Sequence, residues 1–274
     1  MIRRCVTALA DHLGLVSASG SFPRPANRAR NVAPACGGRA VFGGFYTVRF
    51  QLGQASGRGV MYVHDGKMLG GNSAFAHIGT YEEIGEEIAI VINTVRHNPD
   101  PNYPAMAGTD DATLFARGKR DGARYLFEGR LRELPDAPFR SVMTPVEEQP
   151  LPSAGSAAEG NVVNGLYSLR LRVLDDLGAG LTGVMLLNDG RILGGDAYFY
   201  YLGTYTSAGG RWKGQILNQE HTPAKGTNPV FAGHEVGIGF SGTYDDQGAW
   251  LEATALAGKR SLRLTAALKL MRRA

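Results

Sequence analysis

The chain has 274 residues, 43% of them hydrophobic and 20% charged, enough apolar content for a packed core and too much for a wholly disordered chain. Its formal charge of +4 comes from the first 40 residues, which carry six arginines against one acid and leave 23 bases against 24 acids in the remainder. That balance argues against a basic nucleic-acid face in the body of the protein, and no run of about 18 apolar residues offers a membrane-spanning helix.

The chain begins with "MIRRCVTALADHLGLVSASG", a basic start followed by a mildly apolar stretch that Asp11 and His12 interrupt. A secretory signal needs an uninterrupted apolar region, so residues 1–40 read as a disordered extension. Both cysteines, Cys5 and Cys36, lie in it. A disulfide framework and a cysteine metal site in the body are thereby excluded, and the expected compartment is the reducing cytoplasm.

From Gly44 onward the sequence repeats itself. "GFYTVRF" at Gly44 matches "GLYSLRL" at Gly165, and "GVMYVHDGKMLGGNSAFAHIGTY" at Gly59 matches "GVMLLNDGRILGGDAYFYYLGTY" at Gly183. The offset is 121 residues in the first pair and 124 in the second, then stays at 124 through His97/His221, Gly118/Gly242 and Glu128/Glu252. Two copies follow, over residues 41–144 and 163–274, joined by a Pro-, Ser-, Ala- and Glu-rich linker over 145–162. Units of this size are duplicated domains; solenoid repeats are far shorter.

Each copy has the two-residue period of a strand buried on one face. Tyr46, Val48, Phe50 and Leu52 alternate with Thr47, Arg49 and Gln51, as Tyr167, Leu169, Leu171 and Val173 alternate with Ser168, Arg170 and Arg172. Asp65-Gly66 and Asp189-Gly190 sit between short apolar runs, the signature of a tight hairpin. The double glycines Gly70-Gly71 and Gly194-Gly195 mark bends. Seven or eight short strands per copy predict an all-β protein of two tandem small antiparallel β-barrels. The last segment, "SLRLTAALKLMRR", fits either a strand or a short helix.

The candidate chemistry is sparse. "GAGLTG" at Gly178 fits the dinucleotide pattern, but it leads into a strand where that fold needs a helix. His97 and His221, the histidines matched between the copies, have no matched nucleophile and no metal-ligand spacing, so loop capping is their expected role. Asn72 in one copy is Asp196 in the other, an exchange that suits a hydrogen-bonded bulge and would ruin a catalytic carboxylate. No enzyme, metal site or cofactor is expected. The copies diverge after "GTY". The first continues with Glu82, Glu83, Glu86 and Glu87; the second has no acid there.

Together, "G[FL]Y[TS][VL]R[FL]", the "GV[ML]…DG…LGG" run, "GTY" and the acids after it resemble the GrlR-type negative regulators of type III secretion. The resemblance covers the first half of each copy, Gly44–His97 and Gly165–His221. It implies a small β-barrel with an internal apolar cavity, pairing between barrels, and an acidic motif that contacts a transcriptional activator. On that basis Glu82, Glu83, Glu86 and Glu87 are the expected protein-partner residues, although Ile84-Gly85 splits them. The two copies are expected to pair within the chain as a pseudo-dimer. The alternative expectation is a carrier or sensor of a small apolar ligand, its cavity lined by Phe75, Ile90, Phe199 and Trp212.

Overall fold

In a computed structural model the described residues are 42–100, 103–147, 162–174, 180–223, 231 and 235–274. The expected extension over 1–40, and most of the expected linker, lie outside them. Sixteen strands are formed, and no helix occurs among the described residues. The first eight are β1 (Gly44–Leu52), β2 (Ala55–His64), β3 (Lys67–Gly71), β4 (Phe75–Ile84), β5 (Glu87–Arg96), β6 (Asp111–Asp121), β7 (Arg124–Leu131) and β8 (Pro138–Pro145). The second eight are β9 (Gly165–Val173), β10 (Leu181–Asn188), β11 (Arg191–Gly195), β12 (Phe199–Ala208), β13 (Arg211–Glu220), β14 (Val236–Tyr244), β15 (Gly248–Ala257) and β16 (Arg260–Arg273).

Each set forms a closed antiparallel barrel in simple up-and-down order, with β8 returning to β1 and β16 returning to β9. Closure removes the unpaired edges that an open sheet of this kind would present. The C-terminal segment is therefore a strand. Its alternating Leu262, Leu264, Ala266 and Leu268 enter the second core while Arg263 and Lys269 stay outside.

The turns follow from local chemistry. Asp65 and Asp189 have φ of 46° and 47°, followed by Gly66 and Gly190 at 75° and 80°. Two consecutive left-handed residues make the hairpin turn whose twist matches the strands, and Asp-Gly is a pair that adopts it cheaply.

A third apolar cluster lies between the barrels, separate from their two interiors. Phe45, Val60, Leu69 and Ala76 of the first barrel pack there with Leu166, Val184, Leu186, Leu193 and Leu202 of the second. The contacts are reciprocal. A Cβ on Gly71 would lie 2.8 Å from Val184, and one on Gly195 would lie 2.7 Å from Val60. Gly71 and Gly195 occupy matching positions in the duplication, as do Val60 and Val184. Each barrel thus offers its glycine to the other's valine, a self-complementary arrangement of the isologous kind. Thr182 ties the junction further, its Oγ1 donating to the Ser73 carbonyl at 2.8 Å and accepting from Asn98 Nδ2 at 3.1 Å.

Candidate ligand cavity

The two interiors are filled differently. The first barrel encloses a cavity of about 510 Å³ and the second one of about 40 Å³. The larger volume is that of a small-molecule site, whereas the smaller is no bigger than a water or two.

The cause lies in a few substitutions between equivalent positions. Ala116 on β6 pairs with Ile90 on β5; in the second barrel Phe240 on β14 pairs with Gly214 on β13. The phenyl ring of Phe240 projects into the barrel and meets Trp212 edge-on, 4.6 Å between ring centroids. Gly214 makes room for it, since a Cβ there would come within 2.9 Å of the ring. Phe231, from the loop after β13, packs edge-on against Phe199 and adds to the filling.

The first cavity is walled by aliphatic and aromatic side chains, among them Val48, Phe50, Ile92, Leu114, Phe139 and Met143. The loop from β5 to β6 contributes Tyr103, Pro104 and Met106, and the second barrel contributes Ala197 and Tyr198. The wall of the first cavity is therefore completed by the loop between β11 and β12 of its neighbour. Tyr103 brings its hydroxyl to 3.4 Å from Ser73 Oγ, and burial pushes its phenol pKa upward, so it stays neutral.

Polar side chains also line this space, among them Arg58, Asn72, His77 and Thr94. On β4, Phe75, His77 and Tyr81 share the interior face while Ala76 and Ile78 join the junction cluster. His77 Nδ1 lies 3.0 Å from Thr94 Oγ1, and Nε2 is buried with no hydrogen-bond partner among the described residues. The surface that His77 retains borders the cavity. Burial, reinforced by nearby His97, lowers its pKa to about 4, so the imidazole is neutral at pH 7.

The matched histidines hold backbone. His97 Nε2 lies 3.0 Å from the Asn72 carbonyl, and His221 Nε2 lies 3.4 Å from that of Asp196. Asn72 Oδ1 in turn accepts from the Ala74 and Phe75 amides, and Asp196 Oδ1 accepts from those of Tyr198 and Phe199. Amide and carboxylate do the same work, which requires only an acceptor. Burial still pushes the Asp196 carboxyl upward, and Tyr201 donates to its second oxygen at 2.9 Å. No group of three or more His, Cys, Asp or Glu able to hold a metal occurs among the described residues.

The residues singled out in the sequence fall into three places. Phe75 and Ile90 line the large cavity. Phe199 borders the small one, and Trp212 is packed shut with its Nε1 donating to the Trp250 carbonyl at 3.0 Å. Glu82, Glu83, Glu86 and Glu87 lie at the β4–β5 hairpin, some 43% of Ile84 being exposed between them; Glu87 pairs with Arg117 at 3.2 Å. Sequence reasoning missed His77, because it weighed only histidines matched in both copies. The mismatch, His77 against Tyr201, was itself the signal.

No family model matches the chain, and no curated protein matches it. Among solved structures it is similar to a Bacteroides fragilis protein described as a "putative outer membrane protein", at 11% identity over 83% of this chain and 96% of that one, with a TM-score of 0.25.

Proposed function

We propose that the protein is a binding protein whose first barrel holds a small apolar molecule, while the second barrel is a filled structural partner. The observation that carries this reading is the contrast between about 510 Å³ and about 40 Å³ in two barrels of one duplication. A void of the larger size, walled by apolar side chains, forfeits dispersion contacts that a ligand would restore. Titration with the apolar dye Nile red is expected to give one site per chain, lost on Ala116→Phe. Absence of binding, or binding that survives Ala116→Phe unchanged, would overturn the reading.

A second reading rests on the hairpin after "GTY". Its carboxylates surround an exposed isoleucine, a combination suited to docking a basic partner with one apolar anchor. Under this reading the chain acts as a regulator of the kind its resemblance to the GrlR-type proteins implies, working in the cytoplasm on a protein partner. Replacing Glu82, Glu83, Glu86 and Glu87 by Gln should then remove partners captured by the full chain; an unchanged capture profile would sink it.

A further inference from the structure

The first cavity is long, apolar in its depth and cationic at its rim. Its lining takes three successive inward positions on β1 (Val48, Phe50, Leu52) and three on β5 (Ile90, Ile92, Thr94), about 13 Å of strand in each case. Beyond Val48 the interior is shut by Phe42, Tyr46, Tyr125 and Phe127, whose ring centroids approach to between 4.8 and 5.9 Å. At the other end the lining reaches Ala55 and Ser56, both exposed at the start of β2. It holds no Asp or Glu, and its one permanent charge is Arg58. Arg58 shares the outer face of β2 with Val60 and Tyr62 of the junction, out of phase with the inward Met61. Its guanidinium therefore belongs to the rim, on the side where Ala197 and Tyr198 of the second barrel complete the wall.

Arg49 stands directly opposite Arg58 on the β1–β2 ladder. Burial holds the His221 pKa down at about 4, and the charges of Arg49 and Arg58 lower it further, which places both side chains at the junction. Like charges in register cost stability, and among the described residues neither arginine forms an ion pair with a carboxylate. The second barrel does not repeat the pair. Arg49 matches Arg170, but Arg58 matches Thr182, whose hydroxyl is spent on Ser73 and Asn98. The additional cation accompanies the hollow barrel alone.

We propose that the first barrel takes a single-chain amphiphile with an anionic head, its alkyl chain lying in the cavity and its head held at the rim by Arg58 and Arg49. This rests on the ligand-binding reading above and names its ligand class. A long void with one closed end suits a flexible chain, and the methionines Met61, Met68, Met106 and Met143 along it adapt to one readily. A guanidinium offers its N–H groups to a carboxylate in a matching fork, and an anion between two arginines relieves their mutual repulsion. A cationic head would add to that repulsion, and a neutral head would leave it in place.

The test is calorimetric titration of the full chain at pH 8 with three ligands that share one chain: decanoate, decanol and decyltrimethylammonium, each below its micellar concentration. Decanoate is expected to bind once per chain, about five- to tenfold tighter than decanol, with decyltrimethylammonium weakest. Octanoate, two methylenes shorter, should bind about tenfold more weakly than decanoate. The double variant Arg49→Gln with Arg58→Gln should lose the preference for decanoate while its affinity for decanol stays within about twofold of the parent's. Equal affinity of the parent for decanoate and decanol, or a preference that survives the double variant, would overturn the anionic head yet leave the cavity reading standing. Tightest binding of decyltrimethylammonium would overturn it as well. Equal affinity for octanoate and decanoate would place the chain outside the cavity and overturn the proposal from that side. If none of the ligands binds the parent, the ligand-binding reading itself fails and this inference falls with it. The ranking on the parent decides the matter even if the double variant does not fold.

Discussion

Phe240→Ala is the most direct probe of how the second barrel is filled. Phe240 is only 6% exposed, and the groups around it are poorly able to collapse into its place. Gly214 has no side chain to move in, and Trp212 is pinned by its hydrogen bond to the Trp250 carbonyl. Removing the ring leaves a void on the order of 100 Å³, worth about 2.4 kcal/mol at roughly 24 cal/mol per Å³. Lost transfer energy adds about 2 kcal/mol, for a total near 4 kcal/mol, within the range of about 3–5 found for such truncations. Urea unfolding with an unchanged slope would measure it. Benzene should restore part of the loss in Phe240→Ala, because an apolar void that stays dry accepts an apolar guest. A loss below about 1.5 kcal/mol, or a full loss that benzene does not relieve, would refute the claim that this ring fills the second interior.

Further outcomes follow from the same geometry. His77 has a folded pKa of about 4 against 6.5 when unfolded, so the unfolded chain binds its proton first and stability falls as pH drops from 6.5 towards 4. At 1.36 kcal/mol per unit that is about 3 kcal/mol from His77, with a loss of the same sign from His221, also near 4, and a partial offset from Asp196, whose raised pKa favours the fold in acid. Urea midpoints at pH 7, 5.5 and 4.5 should show the decline, and His77→Leu should flatten it. Gly195→Val should cost more than about 2 kcal/mol in the same assay, since its Cβ would meet the Phe199 carbonyl at 2.5 Å and Val60 at 2.7 Å. Asn72→Ala should cost about 1–2 kcal/mol by stripping two amides of their acceptor, whereas Asn72→Asp keeps the acceptor and should cost less. Glu87→Gln should change stability by less than about 1 kcal/mol, its ion pair with Arg117 being solvent-exposed.

The β architecture was legible because its determinants are local. Alternation along Tyr46–Leu52 and Tyr167–Val173 fixes which side chains face in, and Asp65-Gly66 and Asp189-Gly190 fix two hairpins. "SLRLTAALKL" was ambiguous because its alternation is carried partly by alanines, which fit a helix equally well; pairing with β9 and β15 resolves it. The cavity was not legible. Ala116 and Phe240 are both apolar residues on an inward phase, and the pattern cannot tell a ring that fills a barrel from a methyl that leaves it open. Trp212 illustrates the reverse difficulty: a large aromatic on an inward strand face looks like a cavity wall until Phe240 is seen packed edge-on against it.

Ala197 and Tyr198 belong to the second barrel yet help to wall the cavity of the first. Occupancy and inter-barrel docking are therefore linked functions: whatever binds gains contacts only while the barrels are docked. By reciprocity a ligand would tighten the junction by whatever part of its binding free energy depends on contact with Ala197 and Tyr198. Duplication has thus supplied the molecule with more than a spare copy. The filled barrel has become part of the wall of the other's cavity, and separating the two halves would alter that cavity even if each half folded.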